Sequence, residues 1–303
     1  MSSFPVEWGS YAISVGQADV ISKNSNLDIV VESTPGAIIE AVATGVSPFA
    51  AGESIFNLTW AYNGEDKFAD LPWTPATNLR ALISSELWNF AFMAVQSSGV
   101  TSLVDLDGTT IPIVPWHSTT PQFLALLEAS GIDLEKDVEL QTTFSTWDEV
   151  HLGRMSMSWD IPNIEILQEQ EKSGELVFLP VPTDVFAKAK AKHPLAFAGV
   201  SLGKLQPGNI PGLEMSGPAD LVSFESVIFG NTDLSDNAAY QIVTSLVENY
   251  EKVQSIAFGM IDFSPETAAP VISTFPYHPG AIKAYKDLGL WTAEHEEAQK
   301  AVE

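Results

Sequence analysis

Apolar positions along the chain fall into two alternating rhythms: short clusters of β-branched and aromatic residues, and longer stretches with apolar residues three and four apart. Phe4-Pro5-Val6 predicts a short strand, with Glu7-Trp8-Gly9-Ser10 as the loop behind it. A helix over residues 11–24 sets Ile13, Gly16, Val20 and Ile21 on one side. Residues 28–32 predict a β-branched strand, and Ser33-Thr34-Pro35-Gly36 turns into a helix carrying Ile38, Ile39, Val42 and Ala43. Residues 49–51 predict a short buried strand. Gly52-Glu53-Ser54 then opens a helix with Ile55, Leu58, Thr59 and Tyr62 at i, i+3, i+4 and i+7. Strands alternating with helices of this length predict a parallel sheet.

The loop over residues 65–78 carries Pro72, Trp73 and Pro75. Residues 79–84 and 88–95 predict two strand segments interrupted by Ser85-Glu86-Leu87, together long enough to pass from one domain into another. A second strand–helix rhythm starts at residues 111–114. Its loop, Pro115-Trp116-His117-Ser118, leads into a helix with Phe123, Leu124 and Leu127 that Gly131 ends. Residues 155–159 predict a short strand, followed by a helix from about Pro162 that Gly174 ends. Residues 177–179 and 221–229 predict further strands, the last long enough to cross back. From Ser235 the chain reads as mainly helical, with Ala239, Ile242, Val243, Leu246, Val247 and Tyr250 on one face, and a closing helix from Pro279 stops at Gly289. The expectation is an α/β fold of two lobes joined by two crossing strands. Residues 1–86 with 227–303 form lobe I, and residues 87–226 form lobe II.

At 303 residues and 45% hydrophobic, the chain can bury a sizeable core, and its length suits two domains. Charge changes the picture more. Lys and Arg number 14 against 39 Asp and Glu, a net charge of −25. Such a field repels nucleic-acid phosphates and anionic lipid, so neither is an expected partner. Cysteine is absent, which removes disulfides, thiolate metal sites and cysteine nucleophiles. No apolar run approaches the roughly 18 residues of a membrane span. Met1-Ser2-Ser3-Phe4-Pro5-Val6-Glu7 lacks the basic start and apolar stretch of a secretory leader, which fits either a cytosolic chain or a mature exported one.

Five histidines, His117, His151, His193, His278 and His295, form no metal-binding spacing. Neither a nucleophile elbow nor a phosphate-binding glycine loop is present, so no metal, cofactor or catalytic group is expected. His295 lies in Glu294-His295-Glu296-Glu297, whose charge predicts an exposed terminal helix and a solvated imidazole. The loops that follow strands are more informative, because ligands of open parallel sheets bind where strands end and helices begin. These loops hold Trp8-Gly9-Ser10-Tyr11, Ser33-Thr34-Pro35-Gly36, Glu53-Ser54, Trp116-His117-Ser118-Thr119-Thr120 and Trp159-Asp160. Their small hydroxyl residues can either cap helices or touch a ligand. Trp8, Trp116 and Trp159 follow predicted strands and Trp88 lies at the proposed crossing, where each either lines a pocket or fills a lobe interior. Basic residues fall mostly on helix bodies or before strands. A bound carboxylate would therefore rest on main-chain amides, hydroxyls and helix N-termini near His117, unless Arg80 or Arg154 reaches inward; a neutral or zwitterionic ligand is the alternative. A different chemistry, a hydrolase with His117 as base, Ser118 as nucleophile and Asp160 as orienter, requires residues adjacent in sequence to aim at each other.

Four segments then fall in a telling order. Gly9-Ser10-Tyr11 with Gly16 is similar to a glycine–tyrosine loop and first helix, and Thr34-Pro35-Gly36-Ala37 to a small-residue turn before the second helix. Leu103-Val104-Asp105-Leu106-Asp107-Gly108 is similar to an S-x-x-D-L-K-G-K segment, with Asp107 in the lysine position. Pro276-Tyr277-His278-Pro279-Gly280-Ala281, followed by Tyr285-Lys286-Asp287-Leu288-Gly289, looks like a C-terminal P-x-H-P-G-A…Y…G signature. With these, along essentially its whole length, the chain resembles the TAXI-type solute-binding proteins of TRAP transporters. The resemblance implies a type II periplasmic-binding-protein-like fold and no catalysis. It implies a monomeric periplasmic or extracellular receptor that closes over a small organic solute and delivers it to a TRAP membrane permease. The implied ligands are amino acids, notably glutamate, and small carboxylates. Where the family has a G-S-G-T loop this chain has Trp116-His117-Ser118-Thr119, which favours a ligand with an apolar or aromatic part. His278 is read as structural, a side chain that hydrogen-bonds the turn orienting it. The candidate ligand contacts are Trp8, Gly9, Ser10, Tyr11, Thr34, Gly36, Glu53, Ser54, Trp88, Trp116, His117, Ser118, Thr119, Trp159 and Asp160.

Overall fold

The computed structural model describes residues 1–6, 9–34, 36–113, 118–143, 149–150, 153–160, 176–207, 215 and 217–302. The chain divides into two compact units, Met1–Leu87 with Phe224–Glu303, and Trp88–Ser223. Two strands, β4 (Leu79–Val95) and β10 (Ala219–Asn231), each begin in one unit and end in the other.

In the first unit, β1 (Ser2–Ser3) lies between β2 (Glu32–Ser33) and β3 (Phe49–Ser54) and runs parallel to both. Each of these strands feeds a helix: α1 (Gly9–Asn24), α2 (Ile38–Ala43) and α3 (Ile55–Asn63). β10 closes this sheet on the other side of β3, antiparallel, with a bulge between Val227 and Phe229. The predicted first strand at residues 4–6 is displaced: Ser2 and Ser3 are the paired and buried residues, while Val6 is 59% exposed. A buried serine is acceptable there because the Ser3 hydroxyl bonds that of Ser14 at 2.7 Å. Likewise Val30, in the predicted second strand, is exposed, and pairing begins at Glu32.

The C-terminal helices cover the same unit. α6 (Asp236–Glu248) buries the apolar face read from its spacing, with Ala239, Ile242, Val243 and Leu246 fully buried and Tyr250 beyond it half-buried. A short α7 (Tyr250–Gln254) follows. α8 (Pro279–Asp287) starts at His278, whose Nδ1 accepts the Gly280 N–H at 3.2 Å while its Nε2–H donates to the Leu234 carbonyl at 2.9 Å. His278 therefore bonds the turn that orients it. The terminal helix α9 (Ala293–Val302) corrects the reading of His295, which is 7% exposed. Its Nδ1 accepts from the Thr292 N–H (3.2 Å) and its Nε2–H donates to the Ala269 carbonyl (2.8 Å). The imidazole occupies the place that Glu or Gln takes in a capping box, and its ring lies 5.0 Å from that of Trp291.

In the second unit, β4 pairs antiparallel with β7 (Ser158–Asp160) and β8 (Leu176–Leu179). β5 (Thr109–Ile113) and β6 (Val138–Thr142) form a separate parallel pair, and β9 (Val200–Leu205) pairs with β10. Side chains along β4 alternate. Ala91, Met93 and Val95 join Val150, Met155, Leu205, Ala219 and Leu221 in one core, while Phe90 and Phe92 meet Phe123 and Trp159 on the other face. Both faces are thus covered, the second by α4 (Thr120–Ser130), which α5 (Thr183–Lys192) flanks. Gly131 ends α4 in the left-handed conformation, φ 104°.

The predicted interruption of β4 at Ser85-Glu86-Leu87 does not occur; the strand is continuous over 17 residues. The polar residues interrupt the hydrophobic pattern without interrupting the ladder. The Gln17 side-chain amide donates to the Ser85 hydroxyl (3.1 Å), and the Ser226 hydroxyl donates to the Glu86 carbonyl (2.5 Å). The helix expected from Pro162 lies outside the described residues.

Candidate functional site

Because β1, β2 and β3 are parallel, their carboxyl ends share one edge of the first unit's sheet, and the starts of α1, α2 and α3 follow from it. The Thr34 N–H donates to the Ser3 carbonyl (2.8 Å) and the Ser33 hydroxyl to the Phe4 carbonyl (3.1 Å), which ties the ends of β1 and β2 together. Gly9 is exposed, and Ser10 and Tyr11 are half-buried in the first turn of α1. Gly36 sits in the turn before α2 at φ +70°, a conformation open to glycine. Glu53 and Ser54, at the end of β3, are 6% and 0% exposed.

Among the predicted contacts, Gly9, Ser10, Tyr11, Thr34, Gly36, Glu53 and Ser54 belong to the first unit, and Trp88, Ser118, Thr119, Trp159 and Asp160 to the second. Trp8, Trp116 and His117 lie outside the described residues. In the second unit Trp88 is half-buried on β4 and Ser118 half-buried just before α4. Thr119 is fully buried, and its hydroxyl accepts the indole N–H of Trp159 at 3.0 Å. Trp159 is 6% exposed and lies in the aromatic cluster, with ring centres 4.6 Å from Phe92 and 5.2 Å from Phe90. Asp160 pairs with Ala91 across the ladder.

The hydroxyls at helix starts distinguish themselves by what they bond. Ser54 occupies the N-cap of α3 but makes no side-chain cap; its hydroxyl donates to Glu53 Oε1 at 2.9 Å. Thr119, at the N-cap of α4, makes no cap either. Ala37, before α2, has no side chain to cap with. By contrast Ser235, at the start of α6 and away from these strand ends, accepts from Ala238 N–H at 3.2 Å in the ordinary way.

A further residue belongs to this edge and was not among the sequence candidates. Glu86 is 8% exposed, and a Cβ built on Gly52 would lie 3.4 Å from its Oε1 and 3.1 Å from the Phe4 ring. The only signal in the sequence was Ser85-Glu86 interrupting the apolar run of the strand. Arg80 does not stand at this edge. The Arg80 guanidinium donates to the carbonyls of Thr77 (2.8 Å) and Leu79 (2.7 Å). These lie by Thr232 and Gly230, beside Phe49 at the opposite, starting end of β3. There Arg80 lines an open cleft of about 420 Å³ with Tyr62, Pro276, Tyr277, Ile282 and Gln299. Arg154 pairs with Glu149 at 3.4 Å. Lys67 is the cation that feels Glu53: burial lowers the ammonium's pKa, and Glu53 and Asp66 draw it partly back. Among the described residues no cluster of His, Cys, Asp and Glu could hold a metal ion, and no helix is long and apolar enough to cross a membrane.

Comparison with known proteins adds to this geometry. The model of the NMT1-like family matches residues 9–289. No curated protein matches the chain. Among solved structures, MatC of Rhodopseudomonas palustris with bound malate is similar at a TM-score of 0.52 and 11% identity, over 100% of this chain and 97% of that one. A TctC solute-binding protein from Polaromonas is similar at a TM-score of 0.51 and 11% identity, over 99% and 95%. The periplasmic sulfonate-binding protein SsuA of Methylobacillus flagellatus is similar at 0.50 and 13% identity, over 95% and 94%. At such identities the likeness establishes the fold, that of the two-lobe periplasmic solute-binding proteins, and these neighbours are receptors rather than enzymes.

Proposed function

This chain belongs to the NMT1-like family, and from that premise we propose that it is an extracytoplasmic receptor of the TAXI type, which binds a small organic solute and delivers it to a TRAP-type permease. The solute is a small carboxylate or an amino acid with an apolar or aromatic part. It rests on the strand-end loops: Gly9, Ser10, Tyr11, Thr34, Gly36, Glu53 and Ser54 from the first unit, and Trp88, Ser118, Thr119, Trp159 and Asp160 from the second, together with Trp8, Trp116 and His117. The receptor works as a monomer in the periplasm or outside the cell.

One observation carries the reading. Ser54 and Thr119 stand where hydroxyl residues normally cap helices, yet neither does so, while Ser235 does. A helix start without its usual side-chain acceptor suits recognition of a ligand's polar groups, by main-chain amides at α4 and by the acceptors of Glu53 and Asn57 at α3. The absence of an arginine fork at this edge agrees with such recognition, since Arg80 lies at the far end of the first unit's sheet.

The test is a thermal-shift screen of the ligand-free chain against amino acids and small carboxylates. A true ligand at a hundred times its dissociation constant stabilises by about 2.7 kcal/mol. A broad library that yields no saturable shift on protein shown to be ligand-free refutes the receptor reading.

A further inference from the structure

Glu53 is a buried carboxylate whose bonding is lopsided. Its Oε1 accepts three hydrogen bonds, from the Ser54 N–H (2.8 Å), the Ser54 hydroxyl (2.9 Å) and Asn57 Nδ2 (2.9 Å). Its Oε2 accepts none among the described residues, and Lys67 feels the carboxylate's charge without a hydrogen bond to it there. Asn57, in the first turn of α3, is 3% exposed. Its amide orientation is set by the carboxylate, because the reverse orientation would place carbonyl against Oε1. That leaves the buried Asn57 Oδ1 with no donor.

Buried polar atoms in folded proteins are almost always bonded, and each exception asks for a partner. Here the buried exception is an acceptor, Asn57 Oδ1, and beside it stands a carboxylate whose Oε2 makes no hydrogen bond among the described residues. What completes them is a group that donates several hydrogen bonds, and the carboxylate charge asks that it be positive. The Glu53 carboxylate accepts the N–H of Ser54, the residue just before α3, and its charge opposes an anion at this end. A second buried carboxylate, Glu86, stands against neighbouring Gly52 and adds to the negative field.

We propose that Glu53 and Asn57 form the seat for a protonated nitrogen of the bound solute, an ammonium or amidinium group. This rests on the reading of the strand-end loops as the solute site and narrows it: the solute carries a cation at this end, whatever its other end carries. Glu53 supplies the charge and Asn57 the second acceptor, while the three bonds to Oε1 hold the carboxylate in place before the solute arrives.

The experiment uses the full, ligand-free chain and three matched probe series of two to six carbons: n-alkylammonium, n-alkanol and n-alkanoate ions or molecules, at ionic strength fixed with sodium chloride. Binding is followed by thermal shift and by the side-chain amide resonances of Asn57. The ammonium series is expected to bind saturably and at least tenfold more tightly than the alcohols, with the Asn57 amide resonances moving. Glu53→Gln is expected to weaken ammonium binding at least tenfold relative to the alcohols. If Glu53→Gln does not fold, Asn57→Leu and the wild-type ranking of the three series decide in its place. Ammonium ions that bind no better than alcohols, or that bind Glu53→Gln as well as wild type, overturn the seat. If alkanoates bind while ammonium ions do not, the seat falls and the receptor reading stands; if no probe and no library member binds, both fall.

Discussion

Replacing Gly280 with alanine sets two physical effects of opposite sign against each other. In a helix interior, alanine is favoured over glycine by about 1 kcal/mol, so propensity alone predicts that Gly280→Ala stabilises α8. The packing predicts the reverse. A Cβ at this position would lie 2.1 Å from the main-chain carbonyl oxygen of Asp236 and 2.8 Å from its carbon, in the first turn of α6. The obstacle is backbone, so no side chain can swing aside, and α8 would have to retreat from α6 by about an ångström. Retreat is opposed on both sides of the residue. His278 holds the Gly280 N–H and the Leu234 carbonyl, and Ala281 and Ala284 are fully buried. Overpacking of this kind costs about 1–3 kcal/mol or more. We expect a net loss of about 2 kcal/mol, hence a melting temperature lower by about 4–8 °C for a domain of this size. The control is Gly16→Ala, whose Cβ meets the Ile256 side chain at 2.6 Å. The obstacle is the branched end of a side chain, stiff at χ1 but not backbone, so this variant should lose less than Gly280→Ala. Thermal melts by far-UV circular dichroism, with urea titrations of the same three proteins, decide the matter. If Gly280→Ala melts at or above wild type, the close approach of the two helices is not what selects glycine there.

Other outcomes follow from the same geometry. Burial is the main force lowering the His278 pKa, with Arg80 adding to it, while the Leu234 carbonyl and Asp236 oppose it. The folded state therefore binds this proton less readily than the unfolded chain. Its share of stability is present above the unfolded pKa of about 6.5 and is lost as the pH falls below that. His278→Asn keeps an acceptor for the Gly280 N–H but does not titrate, so unfolding free energies measured between pH 7 and 5 should fall less steeply than in wild type; equal slopes reject this assignment. Thr119→Ala removes the acceptor of the Trp159 indole N–H and should cost about 1–3 kcal/mol, with Thr119→Ser recovering most of it in the same urea titration. The net charge of −25 repels itself at low ionic strength, so the melting temperature should rise between dilute buffer and molar salt, and a flat response would show that charge does not limit stability.

Elements with long, regular apolar spacing were legible before any coordinates. α3, α4 and α6 lie where their periodicity places them, and the alternation of strands and helices announced the α/β fold. What failed was local. Val6 and Val30 read as strand residues and are exposed, because a two-residue strand is placed by its ladder partners and not by its own hydrophobicity. Glu294-His295-Glu296-Glu297 looked like a solvated face, yet one imidazole in it is buried, since Ala269 and Thr292 supply what a buried histidine needs. β6 and β9 carry only short apolar signals; their neighbours in space, not in sequence, make them strands.

The helix starts show most clearly where reading from sequence stops. Ser54, Thr119 and Ser235 are alike in type, and the sequence alone offers each the same cap, although the Thr119 backbone is already helical while the other two are extended. Their hydroxyls part ways because of what stands nearby. At Ser54 the preceding residue is a carboxylate, a stronger acceptor than any use the hydroxyl has as a cap, so the hydroxyl becomes a donor. At Thr119 a buried indole N–H needs an acceptor, and leaving it unmet would cost more than forgoing the cap. Only Ser235, with neither neighbour, caps its helix. Competence to cap is thus a property of the residue, whereas release from capping is a property of the fold. Two such departures at the helix starts that follow strands, beside an asymmetric Glu53 and an orphaned Asn57 oxygen, are local rules broken where a binding site would need them broken.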